Sequence, residues 1–258
     1  ARKDSSSWAM GSGRGRDSRP KAAAKGAPGP PEPTFAQCLD PAYRPQLTPQ
    51  QLVPDQPGFI VAIPELLSAG ECAALVAAVD NAELRPSTGA DRAPAKGEAY
   101  LDRESIAFTD PALEGALWAR LRPHLPAIEG RAPVGFLSDS ARAERSRFKL
   151  YRYQKGHRFG LHVDQSWKGP EAGQETELTL LVYLNSAGKP AGPGPERAQP
   201  LMGGETVFMA TAKKELCRVR PARGTALLHA HGRRCLMHES AEVTRGTKYL
   251  LRTDVLYA

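Results

Sequence analysis

Long apolar runs, paired cysteines and a secretory signal are all missing from this sequence of 258 residues. No stretch reaches the roughly 18 apolar residues that a membrane-spanning helix needs, so we expect no membrane insertion. The N-terminal residues also lack the apolar core of a secretory signal. The four cysteines lie far apart and form no Cys-x-x-Cys motif, which argues against a zinc knuckle or a redox pair. A reducing compartment, cytoplasmic or nuclear, fits this cysteine usage best.

Positive charge is concentrated at the N-terminus. Residues 1–34 are rich in Ser, Gly, Pro, Ala and Arg with few large apolar side chains, a composition that predicts a disordered basic tail. This tail carries four of the chain's seven net positive charges. The remaining residues lack the basic excess of a dedicated nucleic-acid groove, so nucleic-acid binding is expected at most for the tail. A solvated leader with no role in catalysis is the simpler interpretation.

The remaining chain is expected to form one domain. Residues 35–57 are punctuated by proline and predict an extended linker, and residues 58–258 can bury one substantial core. Ser68 and Glu71 form a capping-box pattern at the start of one helix, and Asp110-Pro111 begins a second. The polar stretch Asn81–Gly97, with two prolines and two glycines, is a candidate lid.

Short strands dominate the second half of the sequence. Phe148–Tyr153 alternates in character, and further short apolar runs are separated by Gly and Pro instead of by helices. Several short strands with turns between them predict two antiparallel sheets. The expected fold class is therefore mostly β with flanking helices, around a double-stranded β-helix, or jelly-roll, core.

Arg103 lies in the run Leu101–Ser105, which is more charged than a buried strand tolerates. Its side chain could contact a substrate, but a solvated strand end is the simpler interpretation.

A possible metal site begins with His162 and Asp164. They are two residues apart, so on an extended strand their side chains leave the same face and can bind one ion. His238 is the best-placed histidine for a third ligand, and His229 is its replacement if His238 does not bind. Two imidazoles and one carboxylate on one face of an ion form the arrangement that non-haem Fe(II) oxygenases use.

Lys248 follows His238 by ten residues, after an Arg-Gly-Thr turn signal. A hairpin at this turn would place Lys248 alongside the strand that carries His238 and direct its ammonium group at the metal pocket. A cation at that depth requires an anion, and the distal carboxylate of a dicarboxylic cosubstrate suits it.

These motifs resemble those of the Fe(II)- and 2-oxoglutarate-dependent dioxygenases, in the branch that contains the catalytic domain of prolyl 4-hydroxylases. The resemblance covers roughly the last 110 residues. The matching pieces occur in the family's order and are His162-Val163-Asp164, Leu180–Asn185, Gly203–Phe208, His238 and Lys248.

The resemblance implies the following roles. His162, Asp164 and His238 would hold Fe(II), and Lys248 would bind the far carboxylate of 2-oxoglutarate. Tyr183 and Tyr153 match tyrosines that line the cosubstrate pocket. The implied reaction consumes O₂, with ascorbate as the reductant, and hydroxylates a prolyl residue of a peptide or protein.

Three other functions remain open. A nucleic-acid demethylase of the same superfamily would be expected to show a basic groove and an arginine-rich C-terminal motif in place of Lys248, and neither is present. A hydroxylase of another amino-acid side chain or of a small metabolite fits the same residues. A non-catalytic metal-binding scaffold is disfavoured because the three metal ligands and Lys248 are all present.

Overall fold

The computed structural model of the chain describes residues 34–54, 59–87, 99–137, 148–194 and 197–258. All of the predicted tail except Thr34 lies outside the described residues, as do residues 88–97 of the predicted lid. Within the predicted linker, Phe35 is buried, a short 3₁₀ turn covers Ala36–Cys38, and the first strand is Gln50–Gln51.

Two helices and sixteen strands make up the regular structure of the described residues. Neither helix is long and apolar enough to cross a membrane. The helices are α1 (Ala69–Asp80) and α2 (Pro111–Leu121). The strands are β1 (Gln50–Gln51), β2 (Ile60–Ile63), β3 (Arg85–Pro86), β4 (Leu101–Asp102), β5 (Glu104–Phe108), β6 (Pro133–Phe136), β7 (Phe148–Tyr153), β8 (Arg158–His162), β9 (Glu175–Tyr183), β10 (Met202–Gly203), β11 (Thr206–Thr211), β12 (Lys214–Val219), β13 (Ala226–Ala230), β14 (His238–Ser240), β15 (Val243–Arg245) and β16 (Lys248–Tyr257).

Both helices begin at the caps that the sequence predicts. Ser68 and Glu71 form a reciprocal capping box at α1, and the Asp110 side chain accepts a hydrogen bond from the Leu113 amide at α2. The buried Glu71 carboxylate also pairs with Arg120 of α2 at 2.7 Å. One carboxylate therefore both caps α1 and ties the two helices together.

The larger sheet has nine antiparallel strands in the order β1-β2-β13-β9-β16-β7-β5-β3, with β6 paired to the end of β16. The alternation of β7 separates its two faces. Phe148 and Leu150 join the apolar core that both helices cover, whereas Tyr151 and Tyr153 join a second cluster on the opposite face. The helices therefore close one side of this sheet and leave the other for the functional site.

A smaller sheet faces that second side. Its five strands run in the order β12-β11-β14-β8-β4, and β10 and β15 form a separate two-stranded ribbon. Phe208 of β11 packs in one cluster with Tyr183 and Leu227 of the larger sheet, so the two sheets share a core. The predicted fold class, mostly β with flanking helices and a double-stranded β-helix core, is confirmed.

The predicted hairpin between the strands of His238 and Lys248 is wrong. β14 pairs with β11 and β8 in the smaller sheet, whereas β16 pairs with β7 and β9 in the larger one. The turn around Gly246, which has a φ of 69°, therefore carries the chain across to the facing sheet. The physical reason is that both edges of β14 are already paired, so no edge is free for Lys248's strand.

Candidate active site

The three predicted ligands meet between the two sheets. β14 pairs antiparallel with β8 so that His238 lies directly opposite His162, and the centroids of their rings are 4.2 Å apart. Asp164 follows β8 and turns back toward both rings. Its carboxylate oxygens lie 3.6 Å from the Nε2 of His162 and 4.0 Å from the Nε2 of His238. These three side chains form a group of donor atoms that can bind a single ion.

Backbone carbonyls orient both imidazoles. The Nδ1 of His162 lies 2.8 Å from the carbonyl oxygen of Gly160, and the Nδ1 of His238 lies 2.9 Å from that of Leu236. With Nδ1 as the donor in each contact, both Nε2 atoms keep their lone pairs and face the carboxylate. The rings are thereby set as neutral ligands before any metal binds.

The charge states also fit a divalent cation. Burial and the neighbouring His238 lower the pKa of His162 to about 3, and burial lowers that of His238. Burial by itself would raise the pKa of Asp164, but the guanidinium of Arg252 and the neighbouring histidines together outweigh burial and hold the pKa well below its ordinary value. Two neutral imidazoles and one ionised carboxylate are the forms that bind metal. This donor set fits Fe(II).

Two side chains fix the Asp164 carboxylate. Thr179 on β9 donates a 2.6 Å hydrogen bond from Oγ1 to Oδ2, and the Arg252 guanidinium lies 3.7 Å from the same oxygen. Neither residue belongs to a motif that predicts a role in the site. The alternation of side chains along a strand is the sequence feature that could have identified them. Thr179 and Arg252 occupy the positions of β9 and β16 whose side chains point toward the site.

His229 also reaches the site. It is 2% exposed, its ring centroid lies 4.5 Å from that of His238, and its Nε2 lies 3.9 Å from Asp164 Oδ2. Neither of its ring nitrogens has a hydrogen-bond partner among the described residues. His229, Cys235 and His238 form a second group of possible ligand atoms that shares His238 with the first. The replacement named from the sequence therefore lies beside the predicted triad.

Lys248 lies at the other end of the same cavity. It is 1% exposed, and its Nζ donates a 2.8 Å hydrogen bond to Ser240, two residues beyond His238. Gly204 packs against the lysine, since a Cβ there would lie 3.1 Å from the lysine Cδ. Burial, together with the charge of Arg103, lowers the pKa of Lys248 to about 7. No carboxylate of the described residues pairs with this ammonium, so it is available to an anionic ligand.

The two predicted tyrosines occupy different positions. Tyr153 lines the cavity, with its ring centroid 5.0 Å from the Nζ of Lys248. The ring centroid of Tyr183 lies 5.8 Å from the same atom, and its hydroxyl is hydrogen-bonded to Oγ1 of Thr206 at 2.7 Å. Thr206, for which the sequence predicted no role, lines the cavity and contacts that hydroxyl.

Arg103 is not a solvated strand end. Its guanidinium lies 3.7 Å above the ring centroid of Tyr151 and donates a 2.8 Å hydrogen bond to the Tyr153 hydroxyl. A run of charged residues suggested exposure, but the long side chain extends from between β4 and β5 into the cavity wall. The cavity has a volume of about 200 Å³ and is also lined by Lys149, Phe159, Leu181, Glu239 and Leu250.

The family match covers residues 148–253, which agree with the description "2OG-Fe(II) oxygenase superfamily". This part of the chain is similar to 2OG-Fe(II) oxygenase domains. The superfamily implies Fe(II), 2-oxoglutarate and O₂ as cofactor and cosubstrates, and all of the predicted ligands fall within the matched residues. Arg103 lies outside them. No curated protein sequence matches the chain.

Several solved structures are similar to this chain at low identity. One is the viral collagen prolyl hydroxylase of Paramecium bursaria Chlorella virus-1, with 17% identity, 80% of this chain and 99% of that chain covered, and a TM-score of 0.47. Another is a Pseudomonas putida prolyl-4-hydroxylase, with 15% identity, coverage of 76% and 91%, and a TM-score of 0.47. A Trichoplax adhaerens prolyl hydroxylase, in complex with a hypoxia-inducible-factor peptide fragment, shares 14% identity with coverage of 76% and 82% and a TM-score of 0.48.

Proposed function

We propose that this protein is an Fe(II)- and 2-oxoglutarate-dependent dioxygenase that hydroxylates a prolyl residue of a peptide or protein and converts 2-oxoglutarate to succinate and CO₂. One observation carries the proposal: the two imidazoles and the carboxylate share a single cavity with the unpaired ammonium of Lys248. A metal-binding scaffold without turnover has no need of that lysine, whose burial without a carboxylate is unfavourable.

Each residue has a distinct part in this reaction. His162, Asp164 and His238 would hold the iron on one face and leave the opposite positions open. Lys248, supported by Tyr153 and Tyr183, would bind the distal carboxylate of 2-oxoglutarate. When bound, the iron and 2-oxoglutarate supply the oxidising chemistry that activates O₂ for insertion into a substrate C–H bond, and ascorbate is the proposed reductant.

The cavity walls orient the reactants and exclude water. Phe159 stacks on the ring of His162 with centroids 3.6 Å apart, and Phe208 lies against His238 at 5.4 Å. These aromatic rings prevent the two metal-binding imidazoles from rotating. They also shield the two imidazoles from water on one side, which strengthens the electrostatic contacts inside the site.

The prolyl substrate is proposed from the order of the sequence motifs, which is that of prolyl 4-hydroxylases. A free amino acid is a second candidate, because a cavity of about 200 Å³ is small. Both candidate substrates require the same three iron ligands, His162, Asp164 and His238.

The test is succinate formation by protein loaded anaerobically with Fe(II) and 2-oxoglutarate and then exposed to air, with and without a proline-rich peptide. We expect the peptide to stimulate succinate formation and to gain the mass of one oxygen atom. Succinate formation without peptide stimulation would reject the prolyl substrate but keep the dioxygenase. Absence of succinate despite bound iron would reject both.

A further inference from the structure

The cavity holds more positive charge than the cosubstrate requires. Besides Lys248, three cationic side chains line it: Arg103, Lys149 and Arg252, which we call the metal-side cations. Asp164 and Glu239 are the carboxylates among the described residues that line the same space. Asp164 is itself a predicted metal ligand, so it is not free to neutralise these cations.

Lys149 and Arg252 lie apart from the Lys248 end, whereas Arg103 lies close enough to Lys248 for its charge to lower the pKa of that lysine. Lys248 and Arg252 are four residues apart on β16, which is about 13 Å along a strand. Arg252 is the cross-strand neighbour of Lys149 and contacts the Asp164 carboxylate. The guanidinium of Arg103 lies 5.0 Å from the ring centroid of Phe159, the residue stacked on His162. A cosubstrate held between the metal and Lys248 therefore leaves Lys149 and Arg252 beside the metal, with Arg103 between them and the Lys248 end.

Only one of the three has a carboxylate partner. Arg252 lies 3.0 Å from Asp254 as well as near Asp164. Within the described residues, Arg103 forms no ion pair, and its buried Nε has no hydrogen-bond partner. Lys149 makes neither a hydrogen bond nor an ion pair with any described residue. Unpaired charges in a partly buried wall are unfavourable unless a ligand supplies the counter-charge.

The positions of Arg103 and Lys149 suit a carboxylate. The Arg103 guanidinium is held flat against Tyr151 and anchored to the Tyr153 hydroxyl, so its remaining N–H groups are fixed in direction. Lys149 is half-buried, and its pKa is lowered mainly by burial and also by repulsion from Arg252 and Arg103. Tyr151 is the main influence that raises this pKa. An anion placed between the two would relieve this repulsion and form charge-assisted hydrogen bonds.

We propose that Arg103 and Lys149 bind a carboxylate of the primary substrate, beside the metal and separately from the Lys248 ammonium. The substrate is accordingly an acid, either a peptide with an acidic residue next to the target or a free amino acid through its own carboxylate. This inference rests on the proposed function, since it assumes that 2-oxoglutarate occupies the Lys248 end.

Two matched pairs of probes test the inference on the full chain loaded with Mn(II) and 2-oxoglutarate, which binds ligands without turnover. The first pair is N-acetyl-L-proline and its amide. The second is acetyl-Ala-Glu-Pro-Ala-amide and the same peptide with Gln in place of Glu. Calorimetry gives each Kd. We expect the acid of at least one pair to bind at least about tenfold more tightly than its neutral partner, as a charge-assisted contact provides.

Variants assign that preference to the two residues. Arg103→Gln and Lys149→Gln should each remove most of the tenfold preference, whereas Lys149→Arg and the exposed control Lys214→Gln should retain it. If Arg103→Gln fails to fold, the half-buried Lys149 position carries the test. A preference that is absent from both pairs, or that survives both Gln substitutions, overturns the inference.

The cosubstrate gives an independent readout. The Kd of 2-oxoglutarate should change by less than about threefold in both Gln variants, because Lys248 binds its carboxylate. A loss of 2-oxoglutarate affinity equal to the loss of acid affinity would assign these cations to the cosubstrate and overturn the inference.

Failure of the dioxygenase proposal is detected by a different measurement, the absence of succinate from the Fe(II)-loaded wild type. Tighter binding of the free acid identifies a small substrate, and tighter binding of the Glu peptide identifies a peptide.

Discussion

At the scale of single residues, the site depends on a cross-strand pair. His162 and His238 are 76 positions apart in the sequence, yet they lie opposite each other in one β-ladder. The chemistry of the ligands could be predicted because few residue types bind iron. The pairing of β8 with β14 that brings the two histidines together could not, because the three-residue β14 has no periodic pattern that reveals its partner.

Removal of either histidine should abolish metal binding at this site. We expect His162→Ala and His238→Ala to weaken Co(II) or Fe(II) binding by at least about a hundredfold, since even residues that only orient a ligand contribute ten- to a hundredfold. Equilibrium dialysis measures the affinity, and the remote His124→Ala serves as the matched control. Wild-type affinity in either variant would refute the iron assignment.

Lys248→Met should act on the cosubstrate and leave the metal bound. Loss of one charge-assisted contact is expected to raise the Kd of 2-oxoglutarate by about ten- to a hundredfold. Calorimetry with the Mn(II)-loaded protein measures this change, and an unchanged Mn(II) affinity is the internal control. An unchanged Kd for 2-oxoglutarate would show that its carboxylate binds elsewhere.

The affinity for 2-oxoglutarate should fall at alkaline pH. In the proposed complex the protonated form of Lys248 binds the carboxylate, and the pKa of this lysine in the free protein is about 7. Above that pH an increasing fraction of the protein must take up a proton to bind, so the apparent Kd should rise by up to about tenfold per pH unit. Calorimetry in buffers of different ionisation enthalpy measures the proton uptake. A Kd that does not change between about pH 6 and 9 would contradict the assignment, and Lys248→Met should lose the dependence.

At the scale of elements, local signals predicted the helices better than the strands. The caps at Ser68 and Asp110 are short-range contacts, and the long strand β7 shows clear alternation. The order of the strands in the two sheets depends on pairing between strands that are distant in the sequence. The hairpin prediction failed because Arg-Gly-Thr encodes a tight turn but not the sheet that the chain enters after it.

The Glu71 carboxylate should contribute strongly to stability. It accepts hydrogen bonds from the amides of Ser68 and Asp40 and pairs with the guanidinium of Arg120, whose side chain is 9% exposed. Glu71→Ala leaves that cation unpaired, so we expect a loss of about 3–5 kcal/mol in the free energy of unfolding. Urea denaturation measures it.

An exposed ion pair provides the comparison for this variant. Glu215 pairs with Arg218 at the surface, and Glu215→Ala should leave the midpoint of urea unfolding nearly unchanged, because solvent screens an exposed ion pair. Equal losses in the two variants would mean that Glu71 does not join the helices as described.

At the scale of the whole molecule, the oxygenase match covers less than the folding unit. Residues 148–253 exclude both helices and the strands β2 and β5, which pair with β13 and β7. Without them, two inner strands become exposed edges, and one face of the large sheet loses its cover. The residue pattern could locate the catalytic segment, but the supporting elements carry no motif that links them to it.

A chain reduced to residues 148–258 should therefore not fold cooperatively. We expect a broad thermal transition by circular dichroism and strong binding of a hydrophobic dye. The matched control, residues 34–258, retains all of the described elements and should unfold in a single transition. A sharp transition in the shorter chain would show that the helices are dispensable.

The opposed histidines of β8 and β14 have a consequence for the life of the protein in a cell. An ion bound to both rings acts as a removable cross-link between two neighbouring strands, and it stabilises the native state in proportion to the logarithm of its free concentration. If the two rings bind iron as proposed, this part of the smaller sheet should open more often when iron is scarce, and proteases cleave opened segments. The amount of the protein, and not only its activity, is thereby expected to follow the iron supply.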